Sequence, residues 1–241
     1  MIGIFDSGIG GLSLYQKAKE SMPEKGFIYF ADQTNFPYGE KSQGELEEII
    51  RHNILLLQDM GANVILIACN SATVSSRKIR NEFAIPTVGV EPGVKVAKDF
   101  HAGKKALVLA TEITAQKHPK DNDYGDIRIA GVSELARLVE EHYPNIKESD
   151  VRAIVDPKFQ NSVEVVVLGC THYHFLREML EKMYPNKDFI VPEEAIIGQL
   201  KRFTDYADSG KGDIFLTNGD LKKFQAKVEY LTKGQADVRK I

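Results

Sequence analysis

Apolar runs alternate with amphipathic stretches along the whole chain. Nine apolar runs have the composition of buried strands, at residues 2–5, 27–30, 64–68, 87–90, 106–110, 127–131, 163–168, 188–191 and 214–216. Amphipathic stretches typical of helices include residues 44–60, 72–83, 133–142 and 171–183. This alternation predicts an α/β fold with mainly parallel sheets. In such folds the functional residues gather in the loops that follow the carboxyl ends of the strands.

Two of these loops resemble one another. Cys69 and Cys170 each follow an apolar run and precede a helical stretch. In both cases an earlier strand is followed by a hydroxyl residue, with Ser7 62 residues before Cys69 and Thr111 59 residues before Cys170. The similar spacing predicts two related α/β domains. The alternative is that strand-to-helix junctions favour small polar residues in general.

The predicted domain boundaries follow from this repeat. Residues 1–93 together with 194–241 form the first domain, and residues 94–193 form the second. Residues 213–241 are expected to supply one strand and one helix that pack on the first half. Residues 192–198 have the composition of a linker that returns the chain there.

Composition and charge are those of an ordinary globular protein. Of the 241 residues, 43% are hydrophobic and 27% are charged, and the net charge is −3. Basic residues are interspersed with acidic ones, so no nucleic-acid-binding face is expected. The apolar runs are too short to span a bilayer, and the chain opens directly into a predicted strand without a signal segment. We therefore expect a cytoplasmic protein that does not bind membranes.

The placement of the two cysteines is unusual for structural thiols. A free cysteine is most often a buried, inert side chain, and two cysteines alone do not form a zinc site. Cys69 and Cys170 instead lie just beyond their apolar runs, where the unpaired N–H groups of a helix start favour a thiolate. One thiol from each half, facing the other across an interdomain cleft, would place a base on one side of a carbon and an acid on the other.

A glycine-rich segment follows the first predicted strand. Residues 6–13, DSGIGGLS, open a helix, but Ser13 replaces the third glycine of a dinucleotide fingerprint and the segment has no P-loop lysine. The segment is expected either to bind a carboxylate beside Asp6 or to be only a tight turn.

Three other polar residues have both a functional and a structural interpretation. His172 could adjust the thiol of Cys170, or it could be a helix cap or an exposed side chain. Tyr38 lies on a rigid turn that is more often structural by itself. Glu140 is adjacent to Glu141, and such acidic pairs are commonly solvated.

Four ordered motifs resemble the glutamate racemases of the aspartate/glutamate racemase superfamily. They are FDSGIGGL at residues 5–12, FPYGEKS at 36–42, ACNSA at 68–72 and GCTHY at 169–173. Their order and spacing hold from Met1 to about Ile196. Four motifs in order are far more specific than any one of them.

The resemblance implies two α/β domains related by a pseudo-twofold axis, with the active site between them. It implies reversible inversion of L- and D-glutamate without cofactor or metal, which supplies D-glutamate for peptidoglycan. Cys69 and Cys170 would be the two acid/base residues, with Asp6 assisting Cys69, His172 assisting Cys170, and Glu140 as the partner of His172. The residues implied to hold the substrate are Ser7, Pro37, Tyr38, Gly39, Asn70, Ser71, Thr111, Thr114 and Thr171.

The chain departs from the family pattern at three places. His174 stands where the family commonly has proline, Ser71 replaces a threonine, and residues 115–133 are shortened and lack a Cys-Pro pair. Two alternatives to glutamate racemisation remain open at this point. One is a racemase of aspartate or another small acidic amino acid, and the other is a non-catalytic amino-acid-binding or regulatory protein. The oligomeric state is also open, with a homodimer as the candidate.

Overall fold

The computed structural model describes residues 1–90, 93–100, 103–116, 126–159, 162–206 and 212–241. They divide into two compact units, Met1–Val90 with Glu193–Ile241, and Glu91–Pro192. Within the described ranges, no helix is both long and apolar enough to cross a membrane.

The first unit contains a six-stranded sheet in which every strand pairs in parallel. Numbered along the chain, its strands are β1 (Ile2–Asp6), β2 (Phe27–Ala31), β3 (Val64–Ile67), β4 (Thr87–Gly89), β9 (Ile214–Thr217) and β10 (Asp237–Lys240). Its α-helices are α1 (Leu12–Ser21), α2 (Gln43–Asp59), α3 (Asn70–Ser75), α10 (Glu193–Lys201) and α11 (Leu221–Thr232). The strand order is β10-β9-β2-β1-β3-β4.

The second unit contains a four-stranded parallel sheet. Its strands are β5 (Ala106–Ala110), β6 (Ile127–Gly131), β7 (Val165–Leu168) and β8 (Asp188–Ile190). Its α-helices are α4 (Gly93–Phe100), α5 (Glu112–Gln116), α6 (Ser133–His142), α7 (Glu148–Val155), α8 (Thr171–His174) and α9 (Arg177–Met183). The strand order is β6-β5-β7-β8.

The central strands are buried on both faces, which explains their continuous apolar sequences. Every residue of β1, β2 and β3 is buried, and so is every residue of β5 and β7. Parallel sheets of this kind are covered by helices on both sides. In the second unit α4 covers one face, where Val94 and Ala97 pack with Val108 and Val167.

The two sheets repeat one topology. The order β2-β1-β3-β4 in the first unit recurs as β6-β5-β7-β8 in the second. Ile2 pairs with Val64, and Ala106 pairs with Val165, so paired residues are 62 and 59 positions apart. These are the spacings that relate Ser7 to Cys69 and Thr111 to Cys170. The predicted α/β fold with parallel sheets is confirmed, and all nine predicted strands are present.

The prediction was wrong for the segment at residues 192–198 and for the number of strands in residues 213–241. Residues 192–198 are not a linker, because Glu193–Lys201 forms a helix that buries Ile196, Ile197 and Leu200. The last stretch supplies two strands rather than one. β9 pairs with β2, and β10 was missed because Asp237–Lys240 is an edge strand whose polar side chains are mostly exposed.

Two predicted helices are interrupted. The helix predicted at 72–83 is replaced by α3 and a separate 3-10 turn at Ile79–Glu82. The hydroxyl of Ser76 donates to the carbonyl of Thr73 at 2.9 Å, which competes with continuation of the helix. The helix predicted at 171–183 is divided into α8 and α9. There the N–H groups of Phe175 and Leu176 donate three residues back, as in a 3-10 turn.

Candidate active site

In the first unit the candidate site lies at the carboxyl ends of β1 and β3. β2 adjoins β1 on one side and β3 adjoins it on the other, so this edge is a topological switch point, where ligands bind in α/β sheets. Phe5 pairs with Ile67, and the N–H of Ala68 donates to the carbonyl of Phe5 at 2.9 Å. Continuing this register places Ser7 alongside Cys69.

Asp6 ends β1 and is fully buried. Its Oδ1 accepts from the N–H of Gly8 at 3.1 Å and from the hydroxyl of Ser7 at 3.4 Å. These bonds hold the carboxylate within the glycine-rich loop rather than in solvent. A methyl group at Gly11 would lie 2.7 Å from Cβ of Ala68 and 3.1 Å from Cβ of Asp6. Glycine at this position therefore lets the loop approach both strand ends.

Cys69 occupies the N-cap position of α3, and its thiol makes no capping hydrogen bond. Asn70 and Ser71 form the first turn of the helix, and both side chains are buried. The 3-10 turn Tyr38–Glu40 packs against α3, which brings Gly39 and the preceding Pro37 to the same edge of the sheet.

Tyr38 is a buried residue whose hydroxyl is already engaged. It donates to Oδ2 of Asp32 at 2.6 Å and accepts from Nδ2 of Asn53 at 2.7 Å. Burial raises the pKa of Tyr38 well above its ordinary value, and the negative charges of Asp32, Cys69 and Asp6 raise it further. The phenol is therefore neutral, and its proton is committed to Asp32. Tyr38 can meet a ligand through its ring, its backbone or a remaining lone pair.

Asp32 is a buried carboxylate that sequence reasoning missed. Besides Tyr38, it accepts from Nδ2 of Asn35 at 2.9 Å, of Asn53 at 3.3 Å and of Asn218 at 2.6 Å. These bonds satisfy an otherwise costly buried charge and connect the Tyr38 turn to α2 and to the end of β9. The available signal was an aspartate close behind a predicted strand, since Asp32 follows the run at residues 27–30 as Asp6 follows the run at residues 2–5.

In the second unit the corresponding edge is formed by β5 and β7. Leu109 pairs with Leu168, and the N–H of Gly169 donates to the carbonyl of Leu109 at 2.8 Å. The register places Thr111 alongside Cys170. A methyl group at Gly169 would lie 2.9 Å from the carbonyl oxygen of Leu109, so only glycine permits this approach.

Three buried threonines surround the start of α8 and α5. The hydroxyls of Thr111 and Thr114 lie 3.0 Å apart, in hydrogen-bonding contact. Thr171 is the first residue of α8 and is also buried. Cys170 is the N-cap of α8 and, like Cys69, makes no capping bond with its thiol. Neither cysteine is joined in a disulfide bond.

His172 connects Cys170 to Glu140. Its Nδ1 lies 4.0 Å from the sulfur of Cys170, and its Nε2 lies 2.9 Å from Oε2 of Glu140. All three side chains are buried. With Nε2 protonated towards Glu140, Nδ1 faces the thiol as an acceptor, and the protonated ring would offer a donor to a thiolate. This is the arrangement of an acid/base residue oriented by a third group.

Two tyrosine hydroxyls of the second unit differ in their exposure to solvent. Tyr173 is fully buried, and its hydroxyl donates to the carbonyl of Val132 at 2.9 Å. Sequence analysis did not select Tyr173, because an aromatic residue in a predicted helix is usually interpreted as part of the hydrophobic core. By contrast, the hydroxyl of Tyr184 donates to the carboxylate of Asp156, and this pair is exposed to solvent. His174, the departure from the family motif, is buried on the same short helix as Tyr173.

The structure thus brings the sequence-predicted residues into two constellations, one in each unit. In the first unit these are Asp6, Ser7, Pro37, Tyr38, Gly39, Cys69, Asn70 and Ser71. In the second unit they are Thr111, Thr114, Glu140, Cys170, Thr171 and His172. Across the described ranges no group of three or more His, Cys, Asp and Glu side chains is placed to hold a metal ion. Of the shortened segment 115–133, residues 117–125 lie outside the described residues.

Comparison with known proteins gives concordant matches. The family model for Asp/Glu/Hydantoin racemase matches residues 10–199. The chain is 31% identical to the glutamate racemase of Lachnospira eligens, covering 96% of this chain and 95% of that protein. It is 37% identical to the glutamate racemase of Campylobacter curvus, covering 76% and 75%.

A solved structure agrees over the full length. The crystal structure of Escherichia coli glutamate racemase, in complex with L-glutamate and the activator UDP-MurNAc-Ala, superposes with a TM-score of 0.88 at 26% identity. The match covers 100% of this chain and 97% of that one. With two equivalent strand-end cysteines and these matches, the chain belongs to the Asp/Glu/Hydantoin racemase family and, within it, to the glutamate racemases.

Proposed function

We propose that this protein interconverts L- and D-glutamate without a cofactor and supplies D-glutamate for peptidoglycan synthesis. The observation that carries the proposal is the repeated placement of a thiol that is not in a disulfide bond beside a hydroxyl. Cys69 lies beside Ser7, and Cys170 lies beside Thr111, each at the carboxyl end of equivalent strands. Two thiols serving one α-carbon supply both a base and an acid, so the reaction needs no further group.

The chemical demand of the reaction accounts for the buried polar surroundings. The α-proton of an amino acid is weakly acidic, and its removal leaves a carbanion-like charge next to the carboxylate. Preorganised donors in a water-excluded site stabilise such charge far better than water does. We propose that this role falls to the loop N–H groups after β1 and to the hydroxyls of Ser7, Thr111 and Thr171.

The proposed roles of the remaining residues follow from their contacts. Asp6 and His172 adjust the protonation of Cys69 and Cys170, and Glu140 orients His172. Tyr38 and the turn that carries it shape the pocket, held by Asp32. The residues proposed to contact the substrate are Ser7, Pro37, Tyr38, Gly39, Asn70, Ser71, Thr111, Thr114 and Thr171.

Glutamate is the proposed substrate, with two alternatives. Aspartate or another small acidic amino acid would use the same acid/base pair, and pocket depth decides between them. A non-catalytic binding protein would need the donors but not the paired thiols, which favours an enzyme. We propose that the protein works in a reducing compartment such as the cytoplasm, because the proposed mechanism requires both thiols to be reduced. A homodimer without nucleic-acid or membrane partners is the proposed assembly.

The decisive experiment is a racemisation assay with purified protein over a panel of amino acids. Interconversion of glutamate enantiomers, followed by circular dichroism, should proceed with chelator present and without added cofactor. The single variants Cys69→Ala and Cys170→Ala should both lose it, since each direction needs both thiols. Faster turnover of aspartate would transfer the assignment to the alternative substrate. Binding of glutamate without turnover would identify a binding protein.

A further inference from the structure

We propose that Glu112 and Ser133 are positioning residues: they form a reciprocal cap that holds α5, and with it the hydroxyls of Thr111 and Thr114, in place for the substrate. The inference rests on the proposed function, in which these two threonines contact the substrate. Neither Glu112 nor Ser133 belongs to the acid/base set around Cys170.

Two helices of the second unit begin side by side, at the ends of neighbouring strands. β5 and β6 pair in parallel up to Ala110 and Gly131, and the N–H of Val132 donates to the carbonyl of Ala110 at 2.8 Å. Glu112 is the first residue of α5, and Ser133 is the first residue of α6. Because the strand ends are in register, the first turns of both helices lie next to each other.

Each of these two residues caps the helix of the other. The backbone N–H of Ser133 donates to Oε2 of Glu112 at 3.0 Å and to Oε1 at 3.3 Å. In return, the backbone N–H of Glu112 donates to the hydroxyl of Ser133 at 3.2 Å, and this hydroxyl also donates to the Glu112 carboxylate. The first N–H groups of a helix have no partner within that helix. Two such groups, one from each helix, are thus satisfied by a side chain of the neighbouring helix.

α6 takes this cap from Glu112 because its own N-cap residue cannot supply one. That residue is Val132, whose side chain has no hydrogen-bond acceptor. The helix dipole also favours a carboxylate at the start of α6. Gly131 leaves space for the carboxylate, since a methyl group there would lie 3.0 Å from Oε1 of Glu112. Ser133 ends the segment 115–133, so half of the reciprocal cap lies where the chain departs from the family pattern.

The threonine pair is attached directly to the capped end of α5. Thr111 precedes Glu112, and the carbonyl of Thr111 accepts from the N–H of Ala115 at 2.9 Å. The hydroxyls of Thr111 and Thr114 lie 3.0 Å apart, and both residues are buried. A shift of the first turn of α5 therefore moves both hydroxyls together. Glu112 acts on the substrate through this geometry rather than by touching it.

The reciprocal cap matters more to α5 than to α6. α6 is ten residues long and buries Leu135, Ala136 and Val139. α5 has only five residues, and a helix that short is not stable by itself. The position of α5 therefore depends on contacts such as the cap. Breaking the cap should displace α5 and its threonine pair, while α6 and Glu140 stay in place.

The first test compares four side chains at residue 112 by steady-state kinetics of racemisation. Glu112→Ala should lower kcat/KM by about 10–100-fold, because a misplacement of about 1 Å can cost as much as about 10²-fold. Glu112→Gln should retain more activity, because its amide oxygen still accepts from the N–H of Ser133. Glu112→Asp keeps the charge but is one methylene shorter, so it should resemble Glu112→Ala. The control Glu134→Gln changes an exposed glutamate in the same first turn of α6 and should leave kcat/KM unchanged.

The order of these variants distinguishes positioning from simple electrostatics. If Glu112 only repelled a negatively charged substrate, Glu112→Asp would resemble the wild type and Glu112→Gln would have a lower KM. That result, or an unchanged kcat/KM in Glu112→Ala, would overturn the inference. Racemisation by the wild-type enzyme tests the proposed function separately, because its absence would refute that function without involving the cap.

The second test measures thiol reactivity and needs no racemase activity. In Cys69→Ala protein, Cys170 is the sole cysteine, and its alkylation by iodoacetamide is followed against pH. Glu112→Ala should leave the pH at which Cys170 is half reactive unchanged, because α6 and Glu140 remain in place, whereas His172→Asn should shift it. A shift in Glu112→Ala as large as that in His172→Asn would contradict the inference, because the change would then reach the acid/base set.

A double-mutant cycle tests the reciprocal cap itself, whatever the activity of the protein. Ser133→Ala and Glu112→Ala should each lower the Tm by about 2–4 °C, and the double variant should lose less than the sum, because either change breaks the contact between the two side chains. Glu112→Gln replaces Glu112→Ala if the latter does not fold. The control cycle of Ser133→Ala with Glu134→Gln should be additive. Additive losses for Ser133 and Glu112 would refute the cap.

Discussion

Oε2 of Glu140 lies 2.9 Å from Nε2 of His172, while the opposite nitrogen of the ring lies 4.0 Å from the sulfur of Cys170. The short contact fixes the orientation of the ring, and the longer one leaves room for proton movement. Orientation and charge are thus separate contributions of Glu140, and they can be separated by substitution. In the proposed mechanism His172 carries the proton, so we expect its own loss to be more serious.

We expect Glu140→Gln to lower kcat by about tenfold or less, against the 10²–10⁴-fold that is typical for loss of an acid/base group, as in His172→Asn. The glutamine oxygen still accepts from Nε2, so the ring keeps its orientation, but the charge that favours the imidazolium is lost. The neighbouring variant Glu141→Gln is the control, because Glu141 is solvent-exposed. Steady-state kinetics in both directions measure the effect. A Glu140→Gln loss as large as that of His172→Asn would show that the charge, not orientation, is the main contribution.

At the scale of elements, close approach of strand ends places the thiols. The loop after β7 contacts the backbone of β5 through Gly169, and the loop after β1 contacts β3 through Gly11. Helix ends are set by capping side chains: Ser42 and Glu45 form a capping box at α2, and Asp220 caps α11 by accepting from the N–H of Lys223.

Gly169→Ala should destabilise the protein by roughly 1–3 kcal/mol, the usual cost of overpacking. The added methyl would lie 2.9 Å from the carbonyl oxygen of Leu109 and 3.0 Å from Val108. Displacement of the adjacent Cys170 should also lower kcat. Gly44→Ala is the control, since Gly44 lies in α2 with open space around it and alanine favours the helix. Urea unfolding with an activity assay measures both effects, and equal stability of the two variants would contradict the packing argument.

The Asp220 cap predicts a pH-dependent contribution to stability. The hydrogen bond from the N–H of Lys223, followed by the charge of Lys223, lowers the pKa of Asp220 in the folded state. Because the pKa of Asp220 is lowered on folding, its charged carboxylate stabilises the fold at pH values above the unfolded-state pKa of about 3.9. This stabilisation is lost as the pH falls through the folded-state pKa. Asp220→Asn keeps an N-cap acceptor without the charge. The stability difference between wild type and Asp220→Asn should therefore be positive at pH 7 and should shrink progressively as the pH falls below about 3.9. Thermal unfolding across this range tests it, and a difference that does not change with pH would be inconsistent with it.

At the scale of the whole molecule, one topology occurs twice in a single chain. Each unit places a thiol and a hydroxyl residue at its topological switch point, with spacings of 62 and 59 residues. The partners of the thiols differ, however. Asp6 is held by its own loop, whereas His172 depends on Glu140, 32 residues earlier. We propose that the two halves perform opposite steps on one substrate carbon, so that neither half is sufficient.

The two-thiol mechanism makes a prediction for racemisation in deuterated water. The base that removes the α-proton is not the acid that returns one, and the returning thiol has already exchanged with solvent. Product should therefore carry deuterium from the first turnover, while recovered substrate should carry little at early times. Mass spectrometry of the separated enantiomers measures both. Substantial original hydrogen in the early product would indicate a single base and refute the assignment of Cys69 and Cys170 as a pair.

Hydrophobic periodicity and residue order by themselves determined the α/β class, the nine strands and the position of both cysteines at strand ends. These properties are local, because a buried parallel strand must be apolar along its length and the loop after it must turn. The separation in sequence between each hydroxyl residue and its cysteine equals the separation between paired residues of the two strands. The two values agree because paired strands keep a constant offset along their length.

Only the tertiary structure decided which distant polar groups become partners. Asn218 donates to Asp32 across 186 residues, a pairing that no sequence motif indicated, whereas the contact between Glu140 and His172 had been implied by the family resemblance. Asp32 and Tyr173 look like surface or core residues in sequence, because one-dimensional patterns do not say which polar groups are buried together. Once buried, each group requires a hydrogen-bond partner, and only the packing of complete elements determines where that partner lies.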